Sequence, residues 1–109
     1  MVVVVEVVVD GDDRPPVSAP VRVQVRDVGL ADAPAVTVGD ALGRVGRTGE
    51  LLATVAIEVP QLPRHAAVWA HVDVDGDGRV SRGDFVTTAR YAVPHGVRPR
   101  VRVTVRKVS

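Results

Sequence analysis

Residues 21–26 read Val-Arg-Val-Gln-Val-Arg, and this alternation of apolar and long polar side chains decides the fold class. Successive side chains of a β-strand point to opposite faces, so the three valines share one face and the polar residues share the other. The pattern returns at residues 101–106 as Val-Arg-Val-Thr-Val-Arg. Both stretches predict strands with one face on a core and the other in solvent.

Other apolar runs predict further strands, at residues 2–9, at residues 51–59 and, as a short edge strand, at residues 35–38. Residues 39–50 contain four glycines and predict a loop. Clusters of Gly, Pro and Asp separate the runs, and no tandem repeat or linker divides the chain. We therefore expect one all-β domain of about seven strands over residues 1–109. The turn spacing fits a sandwich or a small barrel, and the predicted fold is an immunoglobulin-like or transthyretin-like β-sandwich.

The composition favours strands and excludes several classes of function. Hydrophobic residues make up 46% of the 109 residues and aromatic residues only 3%, and valine, the dominant apolar type, packs well on a pleated surface. The net charge of +1 is too balanced to predict nucleic-acid binding. Because there is no cysteine, disulfides, thiolate zinc sites and cysteine nucleophiles are excluded.

Residues 1–9 do not predict a targeting signal. Residues 1–9 lack the basic segment, the long apolar segment and the cleavage site of a signal peptide, and they are too short to span a bilayer. As encoded, the chain is expected in the cytoplasm. An extracytoplasmic location is expected if Met1 is not the native start.

Residues 73–84 read Asp-Val-Asp-Gly-Asp-Gly-Arg-Val-Ser-Arg-Gly-Asp and match the spacing of a twelve-residue calcium loop. In such a loop, positions 1, 3, 5 and 12 supply side-chain oxygens, position 7 a backbone carbonyl and position 9 often a bound water, while a glycine at position 6 makes the turn. The predicted calcium ligands are Asp73, Asp75, Asp77, the carbonyl of Arg79, Ser81 and Asp84.

Two features of this loop leave alternatives open. Asp84 stands where such loops usually have Glu, and its shorter side chain reaches a cation less well with both oxygens. An acidic turn joining two strands would also explain the Asp-Gly pairs. The upstream flank, residues 65–74, fits both helix and strand spacing, whereas the β-branched residues of the downstream flank, residues 85–93, favour a strand. Two strands are therefore the favoured flanks, which would make the unit a calcium-stapled hairpin rather than a helix-loop-helix unit.

Three parts of the sequence carry motifs of a known family. They are residues 21–36, which end in Leu-Ala-Asp-Ala-Pro-Ala-Val, the Pro-Arg-His and the strand after it at residues 63–72, and the segments 77–79 and 87–91. In these parts the chain resembles the YbaY/YscW family of small bacterial lipoproteins. The resemblance implies a pilotin-like β-sandwich without enzymatic activity. Some members of that family act as pilot proteins or chaperones that help secretins reach the outer membrane. This chain differs in lacking the signal peptide and the lipid-bearing cysteine that anchor such proteins.

No enzyme is expected, because the three histidines and three serines fit neither a zinc-enzyme motif nor a serine-nucleophile motif. Two functions then compete. The favoured one is a calcium-binding module with a protein-binding or assembly role, and the alternative is a pilotin-like chaperone for a secreted or outer-membrane partner. A basic stripe is expected only if the second and last strands lie close together in one sheet, and its residues would be Arg22, Arg26, Arg102 and Arg106.

Overall fold

The computed structural model describes residues 1–29, 34–46 and 49–109, which form eight β-strands. The strands are β1 (Val2–Val9), β2 (Pro20–Asp27), β3 (Val36–Arg44), β4 (Leu51–Glu58), β5 (Ala66–Val72), β6 (Phe85–Thr87), β7 (Tyr91–Ala92) and β8 (Arg100–Lys107). The all-β prediction is confirmed, and none of the described residues forms a helix that could cross a bilayer. There are eight strands rather than about seven, because the segment after the acidic loop forms two short strands.

All the strands belong to one hydrogen-bonded sheet. Their order is β3-β2-β5-β6-β8-β1-β4, with β7 beside β5. Every pairing is antiparallel except that of β1 with β8, which is parallel. The sheet curls until its two end strands, β3 and β4, touch without a hydrogen-bonded ladder between them. The result is a nearly closed barrel whose halves face each other across one core.

Valines fill this core, as the alternating pattern predicts. Side chains that are fully shielded from solvent come from five of the eight strands or their ends, and burying each valine stabilises the fold by about 1.5–3 kcal/mol. The most buried are Val3, Val5, Val7, Val21, Val23, Val25, Ile57, Val59, Ala70, Val72, Val103 and Val105. Glu6, the polar residue within β1, points outward. Its Oε2 lies 3.5 Å from Nη1 of Arg100, and its Oε1 lies 3.8 Å from Nε of Arg102.

The predicted loop over residues 39–50 is wrong in its first half, because β3 continues to Arg44. A Cβ atom at Gly39 would lie 2.8 Å from Cγ2 of Ile57, and one at Gly43 would lie 2.9 Å from Cγ2 of Val55. These two glycines therefore allow β3 to pack closely on the side chains of β4, which is one of the few uses of glycine inside a strand. Residues 47 and 48 of the same segment lie outside the described residues.

The basic stripe is expected only if the second and last strands lie close together. It does not form, because β5 and β6 separate β2 from β8. On β8, Arg102 faces Glu6 instead of another arginine. On β2, Arg22 lies 3.7 Å from the carboxylate of Asp40. The exposed arginines of the two strands are thus distributed over different parts of the sheet and are partly neutralised by neighbouring acids.

Candidate functional site

The acidic loop, residues 73–84, joins β5 to β6. These two strands pair antiparallel, with His71 opposite Val86 and Val72 opposite Phe85, which confirms the prediction that strands flank the loop. Gly78, at position 6 of the predicted calcium loop, has a φ of 78°. Only glycine adopts this left-handed conformation without strain, so it allows the chain to turn back toward β6.

Backbone amides of the loop hold the carboxylates of its first half. Both oxygens of Asp73 accept hydrogen bonds, Oδ1 from the amide of Gly76 at 3.1 Å and Oδ2 from the amide of Gly78 at 2.7 Å. Asp77 Oδ1 accepts from the amide of Arg79 at 2.9 Å. Because each carboxylate binds an amide further along the chain, the side chains and the turning backbone orient one another.

Four of the six predicted ligands come together in space. One carboxylate oxygen from each of Asp73, Asp75, Asp77 and Asp84 lies within 4.8 Å of the other three. Oxygen ligands of a calcium ion lie about 2.3–2.6 Å from it, so two on opposite sides would be about 4.6–5.2 Å apart. The cluster therefore has the dimensions of a site for one hard cation.

Of the other two predicted ligands, Ser81 contacts this cluster through its hydroxyl. Ser81 is positioned to donate its hydroxyl to Oδ2 of Asp75 at 3.0 Å or of Asp84 at 3.3 Å, so it bridges the two halves of the loop. Arg79 is exposed, and its amide is bonded to Asp77. The hydroxyl of Ser81 thus connects Asp75, near the start of the loop, to Asp84 at its end.

Asp84 is the most buried acid of the site, with 1% of its surface exposed. Its Oδ1 accepts from the amide of Val74 at 2.9 Å, and its Oδ2 accepts from the amide of Ser81 at 3.1 Å and pairs with Nε2 of His71 at 2.8 Å. An ionised carboxylate only accepts hydrogen bonds, so Nε2 of His71 carries the proton in this pair. Oδ1 thus has fewer hydrogen-bond partners than Oδ2.

Hydrogen bonding lowers the pKa of two acids of the loop, Asp84 and Asp75. Burial raises the pKa of Asp84, but the bonds from His71, Val74 and Ser81 outweigh it, so the pKa lies below its ordinary value of 3.8. The pKa of Asp75 is lowered as well, chiefly by the hydroxyl of Ser81. Both carboxylates are therefore negative at neutral pH.

His71 is the residue of this site that the sequence pattern alone did not single out. It is 3% exposed and lies under the loop, in contact with Asp84. The available signal was alternation: His71 is two residues before Asp73, so their side chains point to the same side where β5 runs into the loop. His71, Asp73 and Asp84 also form a second group with ligand atoms within 4.8 Å of one another.

A second concave surface lies on the outside of the sheet, where β6 ends at Thr87 and β7 begins only at Tyr91. We call it the Trp69 groove. Its volume is about 280 Å³, Arg26 and Arg90 lie along it, and Thr87 and Thr88 contribute hydroxyls. Its apolar lining consists of Val28, Ala35, Ala67, Val68, Trp69 and Ala89. The acidic loop and the Trp69 groove thus both adjoin β5.

The fold is similar to a solved structure described as an alternative pilotin from the type II secretion system of Vibrio cholerae. The two share 24% sequence identity with a TM-score of 0.65, over 94% of this chain and 96% of the pilotin. No protein-family model and no curated protein matched the chain. The pilotin-like fold predicted from the resemblance is therefore confirmed. Membership of the YbaY/YscW family stays a prediction, and residues 30–33 of the resembling stretch lie outside the described residues.

Proposed function

We propose that this protein is a pilotin-like chaperone, which binds a protein of the secretion or outer-membrane machinery and catalyses no reaction. The observation that carries the proposal is the likeness in fold to a pilotin over 94% of this chain and 96% of the other. Because the coverage is nearly complete on both sides, the likeness extends beyond a single shared motif. This function ranks above the calcium-binding module that the sequence of the acidic loop favours by itself.

A secretin subunit is the partner we propose, in line with the family resemblance of residues 21–36 and 63–72. A curled sheet with a continuous valine core is a rigid scaffold, and the Trp69 groove interrupts its outer face with exposed apolar surface. Rigid scaffolds bind partners with little loss of conformational entropy.

Co-expression tests this function directly. The full chain, carrying an affinity tag, would be produced together with the secretin encoded in the same genome. We expect the secretin to co-purify and its outer-membrane multimers to increase, whereas a porin from the same genome should do neither. A secretin that is absent from the purified material, with an unchanged yield of multimers, would refute the proposal.

As a second function, we propose that the acidic loop binds one calcium ion and that the ion holds the β5–β6 hairpin together. The specific support is the set of four carboxylate oxygens within 4.8 Å of one another, all four from predicted ligands. The remaining ligands we propose are Ser81, directly or through water, and the carbonyl of Arg79. Paired strands cannot swing apart as two helices can, so the ion would staple the hairpin rather than switch it.

Titration calorimetry of the full chain with calcium chloride tests the second function. We expect one ion per chain and much weaker binding of magnesium, which demands near-ideal octahedral geometry and gives up its waters reluctantly. If calcium at millimolar concentration produces no heat and no change in the amide NMR signals of residues 73–84, the segment is an acidic turn without a metal.

A further inference from the structure

The Trp69 groove contains an arginine whose head group is already held in place. Nε and Nη2 of Arg26 both donate to Oε1 of Gln24, at 2.9 Å and 2.7 Å. The same guanidinium stacks on the indole, with its carbon 4.4 Å from the ring centroid of Trp69. Two contacts of this kind restrict the rotamers of a long side chain, so less entropy is lost when it binds a ligand. The remaining N–H groups of Arg26 are available to an acceptor in the groove.

The charge of the groove is positive and uncompensated among the described residues. Arg90 lies along it together with Arg26, and none of the ten lining residues is acidic. No carboxylate of the described residues lies within 4.0 Å of either guanidinium. By contrast, Arg22 and Arg102, on β2 and β8, each face an acid. The groove is therefore complementary to a negatively charged group.

The size and the apolar lining of the groove define the rest of the ligand. About 280 Å³ is small beside the roughly 300–1,000 Å³ of most small-molecule sites. It suits an apolar side chain or two from a peptide better than a whole cofactor. Ala67 and Trp69 lie on the outer face of β5, away from the main core cluster, and offer such a side chain an apolar surface.

We propose that the Trp69 groove binds a peptide segment of a protein partner in which a carboxylate side chain lies next to an apolar one. The carboxylate pairs with Arg26 and Arg90, and the apolar side chain packs on Trp69. This inference rests on the proposed chaperone function for the identity of the partner. The chemistry of the groove can be tested without that partner.

A random peptide library, selected on the immobilised full-length protein, reads out this preference. We expect enrichment of Asp and Glu beside Leu, Ile or Phe. Because Trp69 is the only tryptophan of the chain, its fluorescence then reports the affinity of the most enriched peptide in solution. A library that shows no enrichment, or enriches basic peptides, overturns the proposal.

Single substitutions locate the binding. Arg26→Ala and Arg90→Ala should each weaken the selected peptide about tenfold, the loss expected for one charge-assisted hydrogen bond. Arg22→Ala is the matched control, because it removes an arginine from the same face of β2 outside the groove. Circular dichroism verifies that the variants are folded, and Arg90 is exposed, so its removal leaves the core intact. Equal affinities of wild type and both groove variants would refute the assignment.

The secretin co-purification separates this inference from the proposed function. If the secretin binds wild type but not the Arg26→Ala, Arg90→Ala double variant, the groove is its docking surface. If the secretin binds both equally, the chaperone function stands and the groove proposal is overturned. If no secretin binds while the library still selects acidic, apolar peptides that depend on both arginines, the groove proposal stands and the chaperone function falls.

Discussion

At the scale of single residues, Asp84 connects the acidic loop to the sheet. It accepts hydrogen bonds from the amides of Val74 and Ser81, at opposite ends of the loop, and it pairs with His71 on β5. A buried carboxylate is costly unless it is fully bonded, and here each oxygen has at least one donor. Asp84 thereby stabilises the closed form of the hairpin whether or not a cation binds.

Acid should therefore destabilise the protein through Asp84, measured in chelator so that metal plays no part. The pKa of Asp84 lies below its ordinary value of 3.8 in the folded chain. Its contribution to the free energy of unfolding is thus present above about pH 4 and is lost as the pH falls through the folded pKa. Asp84→Asn should lower that free energy at pH 7 by about 1–3 kcal/mol and weaken the pH dependence. Urea unfolding between pH 2.5 and 7 measures both.

The control for this measurement is Asp12→Asn, which changes an exposed acid in another turn. It should leave the pH profile of the wild type unaltered. An Asp84→Asn protein with wild-type stability at pH 7 would contradict the role given to Asp84.

Gly39 offers a second test at this scale, since β3 packs on β4 only because the residue lacks a side chain. A Cβ atom there would lie 2.8 Å from Cγ2 of Ile57 and 3.2 Å from the carbonyl oxygen of Glu58. Gly39→Ala should lower the free energy of unfolding by about 1–3 kcal/mol, as overpacking does. Gly96 has open space around its Cα, so Gly96→Ala should change stability by less than about 1 kcal/mol. Equal urea midpoints for the two variants would show that the β3–β4 contact is not tight.

At the scale of elements, the β5–β6 hairpin brings four carboxylates into one cluster at the end of a short ladder. Only His71 and Val72 of β5 pair with β6, so the ladder contributes few hydrogen bonds. The hydrogen bonds within the loop supply most of the remaining contacts that hold the hairpin in this conformation. Unbound, the cluster contains mutually repelling charges. A bound dication would remove this repulsion.

Calcium should accordingly raise the melting temperature of the wild type. Binding to the folded state alone adds about 2.7 kcal/mol to its stability when calcium exceeds its dissociation constant a hundredfold. Asp75→Ala should abolish the calcium-dependent part of the shift and leave a folded protein, because Asp75 is exposed and outside the core. Asp12→Ala should retain the shift. Identical melting temperatures in calcium and in chelator would refute the proposal that calcium stabilises the β5–β6 hairpin.

At the scale of the whole molecule, the last strand in sequence holds a central place in the sheet. β8 lies between β6 and β1, is antiparallel to the first and parallel to the second, and contributes Val101, Val103 and Val105 to the core. Without β8 the path of the sheet is broken between β6 and β1. The two halves would then be held together only by contacts across the core and between β3 and β4.

Deletion of residues 100–109 should therefore abolish cooperative unfolding of the entire chain. The deletion removes three buried valines, each worth about 1.5–3 kcal/mol, whereas the whole free energy of unfolding of a native protein is usually only about 5–15 kcal/mol. A variant that lacks only Ser109, which is exposed, should unfold as the wild type does. Thermal denaturation followed by far-ultraviolet circular dichroism distinguishes the two. A sharp transition in the longer deletion would mean that the remaining strands fold by themselves.

Local spacing in the chain was enough to predict most of the strands and the turn chemistry of the acidic loop. The valines at 21, 23 and 25 and at 101, 103 and 105 alternate with polar residues, and the backbone alone determines that such residues share a face. Likewise, Gly78 and the evenly spaced acids specify a loop in which side chains bind nearby amides. In both cases the interacting residues are neighbours in sequence, so their pattern can be read directly.

Tertiary structure alone decided the order of the strands, the use of Gly39 and Gly43, and the pairing of His71 with Asp84. A mobile loop and a strand that packs closely against another strand can both be rich in glycine, so composition does not tell them apart. The reason for Gly39 and Gly43 is visible only where Ile57 and Val55 of β4 pack against them. The parallel pairing of β1 with β8 joins residues that are about as far apart as the chain allows. Such contacts are selected by the burial of the whole core, because no local energy term depends on residues so distant in sequence.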